Sequence, residues 1–114
     1  MTPEKTGAAE AFEFRTRLTR GMEASYERYH RSIPADLHAA MSDAGVIEWQ
    51  ILLSGDVVTH RIVADRAAMA QQLDSHPANL EWQRQVAPYL VEGDEPEAPD
   101  HPGPVIWEFT WPTR

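Results

Sequence analysis

The chain has no cysteine among its 114 residues. Disulfide bonds, thiolate nucleophiles and cysteine-based zinc sites are thereby excluded, which suits a reducing compartment. Long apolar runs are also missing. Nothing approaches the roughly 20 residues that span a bilayer, and the opening MTPEKTGAAE has no apolar stretch of the signal-peptide kind. Positive charge is scarce: 10 Lys and Arg face 18 Asp and Glu, a formal net charge of -8. The basic residues do not gather into the kind of patch that neutralises the phosphates of nucleic acid or of an anionic membrane. These absences predict a cytoplasmic protein that binds no nucleic acid and no membrane. What is present, 42% hydrophobic and 25% charged residues, is the composition of an ordinary globular chain, long enough for one domain with a core.

Residues 1–10 are small and polar and predict a disordered tail; residues 11–114 predict a single domain. Phe12, Phe14, Thr16 and Leu18 alternate with Glu13, Arg15 and Arg17, the period of a strand with one buried face. Gly21 precedes a helical segment carrying Met22, Tyr26, Tyr29 and Ile33. Pro34 disfavours helix at the residue before it, which predicts a break near Ile33. A second helical piece then carries Leu37, Met41 and Ala44 and stops at Gly45. VIEWQILLSG predicts a strand with Val46, Glu48, Gln50 and Leu52 on one face and Ile47, Trp49, Ile51 and Leu53 on the other. The turn SGD returns the chain into VVTHRIVA as a hairpin. Asp65 suits the N-cap of RAAMAQQLD. Pro77 lies early in a helix with Leu80, Trp82, Val86 and Tyr89, and Pro88 loosens its end. The acidic VEGDEPEAPDHPGP reads as a solvated surface loop, with a lid over a pocket as the alternative. VIWEFTW closes the chain as a strand.

The order βαββαβ is the split βαβ, or ferredoxin-like, pattern. It implies an α+β fold in which a four-stranded antiparallel sheet carries its helices on one face and leaves the other face open and apolar. Trp107, Phe109 and Trp111 read as exposed aromatics, which predicts a homodimer in the manner of a dimeric α/β barrel.

Tyr26 and His30 are four residues apart in the first helical segment and share one face. A proton-transfer group thus stands beside a flat hydrogen-bonding group, a pairing that suits acid–base chemistry on a small neutral molecule. The plainer readings are a surface histidine and a core tyrosine. Trp49 suits strand packing alone, and Trp82 has core spacing with Val86 and Tyr89. His60, on the face of Val58 and Ile62, reads first as a satisfied strand histidine and second as a possible second proton relay into the same pocket. His38 falls on the polar side of its helix, and His76 and His101 read as solvated. No two histidines have H-x-x-x-H or H-x-H spacing, so no metal site is expected.

Taken in order, these features resemble the L-rhamnose mutarotase family over residues 11–111. A first strand leads to Y-x-x-x-H as Tyr26 and His30, then I-x-x-x-L as Ile33 and Leu37. Ala44 and Gly45 precede a second strand with an aromatic at Trp49; Trp82 follows in NLEWQ, and Trp107 and Glu108 pair in the last strand. The resemblance implies a small dimeric sugar mutarotase that works without cofactor or metal. It implies that His30 is the proton donor, that Tyr26 contacts substrate, and that Trp49 stands where the family has a sugar-contacting tyrosine. Trp82 matches the first of two adjacent family tryptophans, and Gln83 replaces the second. Ring opening needs a proton to reach the ring oxygen as the anomeric hydroxyl loses one, a task for a group with a pKa of about 6.5. The substrate expected is a 6-deoxy-hexose such as L-rhamnose or L-fucose. A cofactor-free monooxygenase or small cyclase of the dimeric α/β-barrel type, and a non-catalytic ligand-binding module, are the rival expectations.

Overall fold

Proline, glycine and two side-chain caps set the element boundaries. The computed structural model describes residues 9–31 and 33–110; residues 1–8, Ser32 and residues 111–114 lie outside the described residues, and with them most of the expected tail and Trp111. The elements are β1 (Glu10–Leu18), α1 (Glu23–His30), α2 (Ala35–Asp43), β2 (Val46–Ser54), β3 (Val57–Ala64), α3 (Arg66–Gln72), α4 (Pro77–Val86), a 3-10 turn at Ala87–Tyr89, β4 (Leu90–Val91) and β5 (Val105–Thr110). Pro34 separates α1 from α2, as its effect on the preceding residue requires. Gly45, at φ +89, ends α2 in the left-handed conformation that glycine adopts without cost. Asp65 caps α3 by accepting the Ala68 N–H. His76 caps α4 through a ring nitrogen that accepts the Ala78 N–H, with Pro77 at the position where a missing N–H costs nothing.

The strands form one antiparallel sheet in the order β4-β1-β3-β2-β5. The fold is α+β as expected, but the sheet has five strands rather than four. The strand that follows the second helical layer and lies beside β1 is the two-residue β4, and the last strand adds to the far edge beside β2. The helices cover one face. Tyr26, Leu37, Ala40, Met41, Leu73, Trp82 and Val86 form one core with Leu18, Val46, Ile51, Val58, Ile62, Ala64 and Phe109 from the sheet.

Two further expectations change. Val46 belongs to the core face rather than to that of Glu48, because a β-bulge lies between them: Val46 pairs with Ala64, yet Glu48 pairs with Val63. The extra residue, Ile47, is pushed outward and Val46 is fully buried. The aromatics of β5 are not displayed on an open sheet face either. Phe109 is 2% exposed and Trp107 turns toward the helices. The outer face is mostly polar, with Glu13, Gln50, Arg61 and Glu108 on it, so neither Trp107 nor Phe109 supplies the exposed aromatic surface expected for a homodimer.

The acidic segment 92–104 runs from β4 at one edge of the sheet to β5 at the other, crossing the outer face. Arg15 donates to the Pro96 carbonyl and pairs with Glu95. Pro96 is buried, as are Thr59 and Leu52, which share a cross-strand row with Arg15. At its end Gly103, φ +87, passes so close to β2 that a Cβ there would meet the Leu53 carbonyl oxygen at 1.9 Å. The segment is a surface loop, exposed along most of its length as expected, but tied to the sheet at Pro96 and Gly103 like a strap; it lies on the side away from the helices, so it is no lid.

Candidate active site

Strand alternation places Phe14, His60, Ile51 and Trp107 in one row across β1, β3, β2 and β5, all on the helix side. That row is the floor of a cavity of about 120 Å³. A single water needs roughly 10–15 Å³ on the same measure, so the space suits a small ring-shaped molecule. Helical spacing builds the opposite wall: Tyr26 and His30 from α1, Leu37 and Met41 from α2, and Asn79, Trp82, Gln83 and Val86 from α4. Ile33, Leu90, Trp49 and Thr16 complete it.

His30 is 4% exposed and held among aromatic rings. Its ring centroid lies 4.2 Å from that of Tyr26, 5.1 Å from that of Trp82 and 6.0 Å from that of Trp107. Its Nδ1 is 2.9 Å from the carbonyl oxygen of Tyr26, one helical turn back. A carbonyl only accepts, so Nδ1 carries the proton and Nε2 is the unprotonated nitrogen of the neutral ring. Burial lowers the His30 pKa below its usual value, and the backbone hydrogen bond offsets part of that. The ring is therefore neutral at physiological pH. Tyr26 is held above the usual phenol range by burial, so it stays protonated and acts as a hydrogen-bonding group rather than a base.

His60 sits on the floor, stacked on Phe14 at 4.4 Å with an 8° interplanar angle. Trp49 Nε1–H donates to its Nδ1 at 3.1 Å. Burial, with a smaller push from His30, lowers its pKa to about 3. Thr16 Oγ1 is buried at the cavity with no hydrogen-bond partner among the described residues. Gln83 Nε2 reaches Asn79 Oδ1 at 3.5 Å, four residues back on α4. Among the described residues no group of three or more His, Cys, Asp or Glu side chains is placed to hold a metal ion.

A family model described as L-rhamnose mutarotase matches residues 11–108. The chain belongs to that family. It is accordingly a sugar mutarotase, an isomerase. No curated protein and no solved structure matches it. No helix among the described residues is long and apolar enough to cross a membrane. The residues singled out in this mutarotase from its sequence, Tyr26, His30, Trp49, His60 and Trp82, all line the one cavity, as does Gln83. Trp49 does so with its N–H directed at His60 rather than left free. His38, His76 and His101 do not line it. Sequence reasoning missed Thr16, Phe14, Asn79 and Trp107. The signal for Phe14 and Thr16 was present in the alternation of β1, which puts them on its buried face. Trp107 reads from the sequence as an exposed aromatic, but the pairing of β5 with β2 sets it opposite Ile51 on the helix side.

Proposed function

We propose that this chain interconverts the α and β anomers of a 6-deoxy-hexose of the L-rhamnose or L-fucose type, with His30 as the proton-transfer group. The observation that carries the reading is the state of His30. The ring is buried and neutral, its Nδ1–H is committed to the backbone, and Nε2 is left to face a ligand. In the reaction Nε2 takes the anomeric hydroxyl proton. The C1–O1 bond becomes a carbonyl as C1–O5 breaks, and the imidazolium returns the proton to O5. Reclosure on the other face of the carbonyl reverses these steps. General acid–base assistance of this kind supplies about 10²–10⁴-fold in rate.

The lining supports a deoxy sugar. Leu37, Met41, Val86 and Leu90 offer apolar surface to a methyl group, while Trp82 and Trp107 suit the C–H faces of a pyranose. Thr16, Asn79, Gln83 and the Tyr26 hydroxyl are left for sugar hydroxyls. Saturation-transfer NMR between the two anomeric protons tests the reading: exchange faster with protein present, across a panel of free sugars, and lost in His30→Ala.

The aromatic density of the same walls is what a flat aromatic ligand would use, as in the oxygenase or cyclase reading. A thermal shift with such ligands and none with sugars would replace the proposal. A homodimer belongs to the reading on a new footing: the outer-face depression of Ala11, Glu13, Glu48, Gln50, Arg61 and Val63 carries both charge signs and is able to complement its own copy. Light scattering at one chain mass would remove the dimer without touching the chemistry.

A further inference from the structure

We infer that His60 is a second catalytic residue of opposite kind to His30, a neutral imidazole whose Nε2–H donates to the substrate oxygen that gains charge as the ring opens. Trp49 is the positioning residue that fixes its tautomer. The inference rests on the proposed ring-opening reaction and deepens it.

The hydrogen-bond partners set the tautomer of each ring. An indole N–H donates and never accepts. The 3.1 Å contact from Trp49 Nε1 to His60 Nδ1 therefore requires a lone pair on Nδ1. The ring is neutral, so its one proton is on Nε2. At His30 the partner is a carbonyl oxygen, which requires the proton on Nδ1. The two histidines line one cavity in opposite tautomers: one offers a lone pair at Nε2, the other an N–H at Nε2. Neither Nε2 has a hydrogen-bond partner among the described residues.

Packing holds His60 in that state. Phe14 lies flat on one side of the ring, and Ile51 and Phe14 flank it in the cross-strand row. None of these carries charge. His30 is the titratable group that acts on it, and that effect further disfavours protonation. A ring unable to become an imidazolium cannot serve as a strong acid. It serves instead as a fixed dipole aimed at developing charge, the role of an oxyanion-hole donor.

The proton balance is unaffected. His30 Nε2 removes the O1 proton, electrons from the C1–O5 bond move to O5, and His60 Nε2–H hydrogen-bonds O5 until the His30 imidazolium delivers its proton there. His60 keeps its own proton throughout. Trp49 in this account does not stack on the sugar but sets the donor state of its neighbour.

Two measurements decide it. Long-range ¹H–¹⁵N spectra of the unsubstituted protein are expected to show His60 protonated on Nε2 and His30 on Nδ1. A His60 ring protonated on Nδ1 overturns the inference without any substitution. Anomeric exchange rates give the second readout. His60→Phe keeps the stack on Phe14 but lacks the donor, and is expected to lose about 10²–10³-fold, the loss seen when one such donor is removed. His60→Gln restores an N–H donor and is expected to recover part of that loss, which a merely structural role would not produce. In Trp49→Phe the His60 nitrogens are expected to show mixed tautomers. His60→Phe at the parent rate, with His30→Ala inactive, refutes the role of His60 and leaves the proposed reaction standing. Both variants at the parent rate refute the proposed reaction as well.

Discussion

Acid destabilisation is the sharpest physical consequence of burying His60 as a neutral ring. In the unfolded chain its pKa is the ordinary value of about 6.5; in the folded protein it is about 3. The unfolded state thus binds more protons between those values, and stability rises with pH there. The contribution is fully present above about pH 6.5, is lost progressively below it, and stops changing near pH 3. Each pH unit in the window is about 1.4 kcal/mol. Between pH 7 and pH 4.5 this one ring removes about 2.5 kcal/mol, a large share of the stability of a small domain. Urea unfolding of the parent and of His60→Phe at both pH values isolates the effect. The carboxylates and the other histidines titrate in both proteins, so the difference between the two pH dependences belongs to position 60. Its expected size is about 2.5 kcal/mol. Equal pH dependence in the two proteins would refute the claim that this ring is folded in its neutral form.

Other outcomes follow from the same geometry. His30→Ala is expected to lower anomeric exchange by about 10²–10⁴-fold. In the parent, where burial lowers the His30 pKa, the rate is flat at neutral pH and falls only on the acid side of the ordinary histidine range; a fall beginning above pH 7 contradicts the assignment. Gly103→Ala places a Cβ 1.9 Å from the Leu53 carbonyl at φ +87. It is expected to cost at least about 2 kcal/mol in denaturant unfolding, and parent-like stability would mean the strap does not lie where described. Arg15→Ala removes the donor to Pro96 and the partner of Glu95. It is expected to cost about 1–2 kcal/mol and to speed proteolysis within 92–104. The anomeric exchange rate should not change.

Much of the fold was legible because its signals are local. The alternation of Phe12 to Leu18, the Pro34 break, Gly45, the Asp65 cap and the SGD turn each act over a few residues, and each element appears where they place it. Tyr26 and His30 were legible for the same reason, since helical spacing alone puts them on one face. What escaped was non-local. Nothing in VIWEFTW says which strand it pairs with or in what register, and the register decides whether Trp107 faces solvent or the cavity. The bulge at Ile47 is a property of the β2–β3 pairing, and no period within β2 announces it. The strap over Arg15 was hidden by its composition, because acidic and proline-rich sequence signals the lack of a core but not the presence of an anchor.

The indole that fixes the state of His60 reaches it from the neighbouring strand, two positions along from the residue directly opposite. Side chains alternate between faces, so a slip of β2 by one residue would turn Trp49 to the far surface and bring polar Gln50 inward. The hairpin's alignment and the ring's proton location are thus one fact recorded twice. A spectroscopist watching a single nitrogen of His60 would be reading whether two strands had zipped in frame, and a misaligned hairpin would announce itself as a shift in that one resonance.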